Sequence, residues 1–122
     1  MSEKVLVVDD SGTMRKIVIR ALNAVGFTDT IEASDGVEGL KAFHDNSIGL
    51  VLTDWNMPNK SGLDLTRDIR ATGSKVPIYM ITTEAEKNRV VEAIQAGVND
   101  YLVKPFTQEA LQQKLEKYCV AS

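Results

Sequence analysis

The sequence predicts a doubly wound α/β fold in which five parallel strands alternate with five helices. Three observations lead to this prediction: short apolar runs recur along the chain, amphipathic stretches separate them, and capping or turn residues mark most boundaries. The chain has 122 residues, of which 43% are hydrophobic, and these values fit one domain with a real core. We therefore expect a single domain over residues 1–122, with no output domain.

Four apolar runs, rich in β-branched and aromatic residues, are predicted to be buried strands at 5–8, 50–53, 78–81 and 101–103. A weaker run at 30–33 is expected to be a strand at the edge of the sheet. Nearly unbroken apolar strands are typical of parallel sheets that are covered on both faces. Helices are therefore expected on both sides of this sheet.

The first helix is predicted from apolar residues that share one face of a 3.6-residue period. This face comprises Met14, Ile17, Val18, Ala21, Leu22 and Val25. Gly26 follows it as a left-handed C-terminal cap. The other helix ends are predicted from Asp35 with Glu38, Ser61 with Asp64, Gly73, Gly97 and Thr107. In the last helix the expected buried residues are Leu111, Leu115 and Tyr118.

Composition and charge exclude several classes of function. The net charge of −3 argues against binding to nucleic acid, whose phosphates require a basic surface. Cys119 is the single cysteine, so an internal disulfide is impossible. The apolar run near the N-terminus is too short for a signal peptide or a membrane span, and a cytoplasmic location without membrane contact is expected. No G-x-x-x-x-G-K-[ST] motif occurs in the sequence, which excludes a P-loop NTPase.

Charged and polar residues follow four of the predicted strands. They are Asp9 and Asp10 after the first strand, Asp54 after the third, Thr82 and Thr83 after the fourth, and Lys104 after the fifth. Right-handed crossovers place the carboxyl ends of parallel strands at one edge, where ligands bind in such sheets. We therefore expect three carboxylates, a hydroxyl and an ammonium group to converge there.

Such a cluster favours a bound divalent cation. Two carboxylates about 4 Å apart repel by about 4 kcal/mol at an effective dielectric constant of ~20, and a third adds to this repulsion. Oxygen ligands without histidine or cysteine suit Mg²⁺ better than zinc or copper. Each residue alone has a simpler explanation: Asp10 could cap the first helix, Lys104 could be solvated and Thr82 could be a loop hydroxyl. Their convergence favours a functional site.

Four motifs resemble those of the response-regulator receivers. They are VLVVDD at 5–10, TDWNMP at 53–58, ITTEA at 81–85 and YLVKPF at 101–106, and they occur in the family's order and spacing. The segments DDSGTMRKIV, DWNMPNKSG and DYLVKPFT are most similar to the stand-alone CheY-type chemotaxis regulators. This resemblance implies a flavodoxin-like sheet with strand order 2-1-3-4-5.

The resemblance also implies roles for the residues at the sheet edge. Asp54 would accept a phosphoryl group from a histidine kinase. Mg²⁺ would be bound directly by Asp10, Asp54 and the backbone carbonyl of Asn56, whereas Asp9 would act through a water molecule. Lys104 would pair with the phosphoryl oxygens, and the Lys104–Pro105 peptide bond would be cis.

A switch and its tuning are implied in the same way. Thr82, chosen over Thr83 because it directly follows the apolar run, would bond a phosphoryl oxygen and move inward. Tyr101 would be the aromatic switch that follows it. Asn56 and Glu84 occupy positions that tune dephosphorylation in the family.

The expected output is contact with a downstream protein, for which a flagellar motor switch protein is one candidate; a phosphatase is a further candidate partner. The candidate surface comprises Lys87, Arg89, Tyr101, Lys114 and Lys117. The protein is expected to be a monomer and not an enzyme, since it would catalyse only its own phosphotransfer and autodephosphorylation. A solvated helix face is the alternative explanation for these charges.

Other functions remain as alternatives. Within the receivers these are a phosphorelay intermediate and a regulator outside chemotaxis. An aspartate-nucleophile phosphatase would require D-x-D, whereas the two aspartates here are adjacent. A flavin-binding protein of the same fold would require a phosphate-binding loop where this chain has acids. Two further expectations are that His44 lies on the surface and that Trp55, next to Asp54, is partly exposed.

Overall fold

The computed structural model describes residues 4–121, and the side chains of residues 4–117. Strands and helices alternate without exception in this part of the chain. The elements are β1 (Lys4–Val8), α1 (Gly12–Ala24), β2 (Thr30–Ala33), α2 (Gly36–Asp45), β3 (Ile48–Thr53), α3 (Gly62–Ala71), β4 (Ile78–Thr82), α4 (Lys87–Ala96), β5 (Asp100–Val103) and α5 (Gln108–Ala121). The predicted α/β alternation is therefore confirmed.

All neighbouring strands pair in parallel, and the sheet order is β2-β1-β3-β4-β5. This is the order that the family resemblance implied. The register aligns Val8 with Ala33 on β2 and with Thr53 on β3. Between β4 and β5, Thr82 is aligned with Val103. The carboxyl ends of the strands therefore lie along one edge.

Alternate residues of each strand enter two separate cores, because successive side chains of a strand point to opposite faces. Leu6 and Val8 belong to the core beneath α2, α3 and α4, whereas Val5 and Val7 belong to the core beneath α1 and α5. The sheet is therefore covered on both faces, as the apolar strands predicted. Among the described residues, no helix is both long enough and apolar enough to cross a membrane.

Most predicted helix ends are confirmed. The amide of Glu38 donates to the carboxylate of Asp35 at 2.8 Å, and the amide of Asp64 donates to the hydroxyl of Ser61 at 3.1 Å. Thr107 caps α5 in the same way, through the amide of Ala110 at 3.0 Å. The glycines that end helices all have positive φ: Gly26, Gly73 and Gly97.

Burial in the helices and strands departs from the predicted pattern at two places. Ile17 is 38% exposed, because it lies at the flank of the α1 apolar face while Val18 and Leu22 point into the core. The β5 run was predicted to be buried but is only partly buried, because within residues 4–121 β5 pairs with β4 alone and forms an edge of the sheet. Leu111 and Leu115 are buried as predicted. The predictions for Tyr118 and for Cys119 lie outside the described side chains.

Candidate functional site

Three carboxylates meet where β1 and β3 end. Asp9 and Asp54 are buried and Asp10 is exposed, and one oxygen from each lies within 4.8 Å of the others. The two strands bring them together because Val8 and Thr53, the last residues of β1 and β3, are paired in register. The structure therefore places the predicted acids in one cluster.

Asp9 is held at every polar atom. Its amide extends the sheet by donating to the carbonyl of Ala33 at 3.1 Å. Its carboxylate accepts from the amide of Ser11 at 2.9 Å and from the ammonium group of Lys104 at 2.8 Å. Its carbonyl accepts from the guanidinium of Arg15 at 2.6 Å. The position of Asp9 within the site is thus fixed by hydrogen bonds to both its backbone and its side chain.

Lys104 joins the acids from the end of β5. Its ammonium group lies 2.8 Å from Asp9 and 3.1 Å from Asp54, so one cation bridges two carboxylates. Burial alone would lower the pKa of Lys104, but the hydrogen bonds and charges of the two aspartates outweigh burial and raise it. The Lys104–Pro105 peptide bond is cis, as the resemblance implied.

The backbone around Asp54 is tightly packed. One carboxylate oxygen of Asp54 accepts from the amide of Trp55 at 2.6 Å, and the other accepts from Lys104. A Cβ atom on Gly62, the first residue of α3, would lie 1.8 Å from the carbonyl oxygen of Asp54. Only glycine therefore allows the start of α3 to approach the phosphoacceptor candidate this closely.

Asp10 is the open member of the cluster. The alternative in which Asp10 caps α1 is wrong, because Ser11 is the N-cap and its hydroxyl accepts from the amide of Met14 at 3.1 Å. Within the part of the chain whose side chains are described, the Asp10 carboxylate has no hydrogen-bond or ion-pair partner. It is therefore available to a ligand.

The donor set fits Mg²⁺. All ligand atoms that the cluster offers are carboxylate oxygens, and one of the three acids, Asp10, is exposed. Hard divalent cations prefer such ligands, and Mg²⁺ usually retains several waters, which an open carboxylate at the surface allows. Asn56, whose carbonyl the resemblance implies as a further ligand, lies two residues beyond Asp54 and is exposed.

The two threonines after the β4 run differ in burial. Thr82 is fully buried at the end of β4 and Thr83 is exposed. The Thr82 hydroxyl accepts a long hydrogen bond of 3.4 Å from the amide of Glu84. Of these two threonines, therefore, only Thr82 lies inside the molecule, where β4 meets the β4–α4 loop.

Tyr101 also contacts the β4–α4 loop. Its hydroxyl donates to the carbonyl of Glu84 at 2.7 Å. Burial, with the negative charges of Glu84 and Asp54, raises the pKa of Tyr101 to about 12. The neutral phenol is therefore strongly favoured as a hydrogen-bond donor at this position.

Asn56 and Glu84 are in direct contact. The side-chain amide of Asn56 donates to the Glu84 carboxylate at 2.9 Å. Because Asn56 lies in the β3–α3 loop and Glu84 in the β4–α4 loop, this bond joins the two loops. The Glu84 side chain is thereby tied to the loop that follows Asp54.

Trp55 was expected to be partly exposed, and this expectation is wrong, because only 5% of the residue is exposed. Trp55 continues the alternation of β3 from Val51 and enters the core beneath α2, α3 and α4. The period of two could have predicted this burial. The guanidinium of Arg89 on α4 lies 5.5 Å from the ring centroid and covers its outer face.

Sequence reasoning missed a hydrogen bond that joins the β3–α3 loop to the N-cap residue of α2. The carboxylate of Asp35 accepts from Glu38 and from the side-chain amide of Asn59 at 2.6 Å. These bonds lower the pKa of Asp35, and the backbone bond from Glu38 contributes most. Asn59 has a φ of 69°, which asparagine tolerates better than most residues. The bond between Asn59 and Asp35 therefore holds the β3–α3 loop against the start of α2.

Arg15 was missed as well. It lies on α1 and bonds the carbonyl of Asp9, while its Nε atom donates to Glu32 on β2 at 2.8 Å. The only signal in the sequence is an arginine one turn after the N-cap of α1. Its partner at β2 could be identified only from the strand pairing.

The residues of the candidate partner surface are not equally free. Lys87, Arg89 and Lys117 are exposed. Lys114 is partly buried and its ammonium group donates to Asp100 at 2.8 Å. Arg89 lies 3.4 Å from Glu92. His44 is exposed, as expected.

The model of the family described as "Response regulator receiver domain" matches residues 5–116. The chain is 47% identical to the chemotaxis protein CheY of Pseudomonas aeruginosa, over 93% of this chain and 94% of the relative. It is 50% identical to the chemotaxis protein CheY1 of Helicobacter pylori, with the same coverage. The solved structure of the Vibrio cholerae chemotaxis protein CheY4 has a TM-score of 0.88 at 32% identity, covering 96% of this chain and 98% of that one.

Proposed function

This chain belongs to the family of response regulator receiver domains, and we propose that it is a phospho-accepting response regulator of a two-component system. Asp54 takes a phosphoryl group from a phosphohistidine of a partner kinase. The relatives are named as chemotaxis proteins, which supports a role in chemotaxis, and we propose control of the flagellar motor as its output.

One observation carries the proposal: Lys104 bridges Asp9 and Asp54 within a cluster that also contains the open carboxylate of Asp10. In the proposed reaction an oxygen of Asp54 attacks phosphorus, and the bond from phosphorus to the histidine nitrogen breaks. The nitrogen leaves with the bonding electrons. A carboxylate nucleophile gives a labile acyl phosphate, which suits a transient signal.

The negative charge at the site must be offset during transfer, because a phosphoryl group adds roughly −1.5 to −2 charges beside a cluster of three carboxylates. Lys104 supplies a fixed positive charge within 3.1 Å of Asp54. Bound Mg²⁺ would neutralise further charge on the transferring group. Asp10, Asp54 and the carbonyl of Asn56 would hold the ion directly, and Asp9 would hold it through water.

The proposed switch uses Thr82 and Tyr101. The Thr82 hydroxyl leaves the Glu84 amide and moves inward to bond a phosphoryl oxygen, and Tyr101 then fills the space that this hydroxyl has vacated. The phosphoryl group shifts the equilibrium only by its differential interaction with the two conformations. The proposed output surface comprises Lys87, Arg89, Tyr101, Lys114 and Lys117, where a downstream target such as a motor switch protein would bind.

A receiver of this kind modifies itself and is not an enzyme with an external substrate. We propose that residues 1–122 act as one receiver domain, as a monomer in the cytoplasm, with a histidine kinase as donor and a phosphatase as a further partner. A single-domain phosphorelay intermediate is the second candidate, since the same site would pass the phosphoryl group onward.

The test is phosphorylation by acetyl phosphate, with and without Mg²⁺, measured by intact mass. We expect an adduct that requires Mg²⁺ and disappears in Asp54→Asn. Asp64→Asn is the matched control, because Asp64 is an exposed aspartate at the start of α3 and lies outside the cluster. An adduct that forms equally in Asp54→Asn would refute the proposed function.

A further inference from the structure

We infer that Arg15 is a positioning residue for the proposed Mg²⁺ site and that it acts through the backbone of Asp9. The inference rests on the proposed function, since it concerns the same site. Arg15 does not touch the carboxylates that would bind the ion. Its guanidinium instead donates to the carbonyl oxygen of Asp9 at 2.6 Å.

The orientation of this carbonyl determines the orientation of the Asp10 backbone. The carbonyl oxygen of Asp9 and the amide nitrogen of Asp10 belong to one planar peptide unit. A bond that fixes the carbonyl therefore fixes the plane from which the Asp10 side chain projects. In the described part of the chain no hydrogen bond or ion pair orients the Asp10 carboxylate, so its backbone is the part that the fold controls.

A second bond holds Arg15 in place. Its Nε atom donates to the carboxylate of Glu32 at 2.8 Å, and the Arg15 side chain is only 20% exposed. Arg15 thus connects β2, α1 and the loop after β1. Arginine can do this because its planar fork presents several donors at fixed angles, whereas lysine presents one compact ammonium group.

Electrostatics alone predicts the opposite effect from positioning. A guanidinium near three carboxylates repels a second cation, so its removal should strengthen Mg²⁺ binding if charge were its only influence. If Arg15 positions Asp10, its removal should weaken binding. The sign of the change in affinity therefore separates the two roles.

The experiment measures the Mg²⁺ dissociation constant by calorimetry, without a phosphodonor, for the wild type and for Arg15→Gln. We expect the constant to rise about tenfold, as is typical when a group that supports a metal ligand is removed. Arg20→Gln is the matched control, because Arg20 is exposed on the same helix and its loss changes the net charge equally. Its dissociation constant should not rise.

Arg15→Lys is a second variant, for which thermal unfolding without Mg²⁺ verifies folding. It retains the charge but not the two-pronged contact, so positioning predicts weaker Mg²⁺ binding and charge alone predicts no change. Unchanged or tighter binding in both Arg15 variants would overturn the inference, and with an intact wild-type site it would leave the proposed function standing. If the wild type itself bound no Mg²⁺, the proposed site and this inference would both be wrong.

Discussion

The hydroxyl groups of Thr82 and Tyr101 hold the two backbone polar groups of one residue, Glu84. Thr82 accepts from the Glu84 amide at 3.4 Å, and Tyr101 donates to the Glu84 carbonyl at 2.7 Å. The two proposed switch residues are therefore linked through the β4–α4 loop. A displacement of the Thr82 hydroxyl would free the amide of Glu84, the same residue whose carbonyl accepts from Tyr101.

The alkaline titration of Tyr101 tests this arrangement. We predict that the difference in absorbance between the wild type and Tyr101→Phe shows a phenol with a pKa of about 12. Folding raises this pKa above its ordinary value of 10.0, so the folded state binds the phenol proton more tightly than the unfolded state does. The contribution of Tyr101 to the free energy of unfolding is therefore fully present below pH 10.0 and is lost as the pH rises towards 12. A phenol that titrates near 10.0 would show that Tyr101 is not held as described.

Lys104→Met should slow phosphorylation by acetyl phosphate by about a hundredfold, because the variant lacks the fixed positive charge that offsets charge on the transferring group. Mg²⁺ affinity, measured by calorimetry, should not fall, since a cation that competes for Asp9 and Asp54 has been removed. Lys75→Met is the control, because Lys75 is exposed and lies between α3 and β4. A normal rate in Lys104→Met would exclude the proposed role.

Asp10→Asn should stabilise the metal-free protein by about 1 kcal/mol, because it removes repulsion within a cluster whose oxygens lie within 4.8 Å. Wild-type protein should gain about 2.7 kcal/mol of stability at a Mg²⁺ concentration a hundred times the dissociation constant. Asp10→Asn should lose most of this gain. Urea unfolding with and without Mg²⁺ measures both effects, and an undiminished gain in the variant would contradict the assignment of Asp10.

Gly62→Ala should destabilise the protein by about 3 kcal/mol or more, because the added Cβ atom would lie 1.8 Å from the carbonyl of Asp54. Gly12→Ala is a matched control, since Gly12 is likewise the first residue of a helix and its added atom would make an ordinary contact at 3.4 Å. The control should be nearly neutral in urea unfolding. Equal stability of the two variants would show that the approach of α3 to Asp54 is not constrained.

The sequence was sufficient for features that depend on local patterns. Capping by Asp35, Ser61 and Thr107 follows from side chains that bond the backbone three residues later, and this chemistry is visible in the order of residues. The convergence of Asp9, Asp54 and Lys104 followed from the predicted parallel strands, because right-handed crossovers place the carboxyl ends of such strands at one edge.

Features that depend on tertiary distances could not be predicted. The bonds from Arg15 to Glu32 and from Asn59 to Asp35 join residues 17 and 24 positions apart, and neither pair has a periodic signal. From the sequence, Asp10 was a possible cap of α1, whereas the N-cap is Ser11; both residue types cap helices, and only the backbone geometry distinguishes them.

The central claim is that Asp54 carries the phosphoryl group, and the most direct measurement identifies the modified residue. The phosphorylated protein is treated with borohydride, which reduces an acyl phosphate to an alcohol, and the peptides are sequenced by mass spectrometry. The account predicts that the reduced residue is at position 54 and that none is found at Asp9 or Asp10. Reduction at either of those residues, or a stable phosphoester on Ser11 or Thr83, would contradict it.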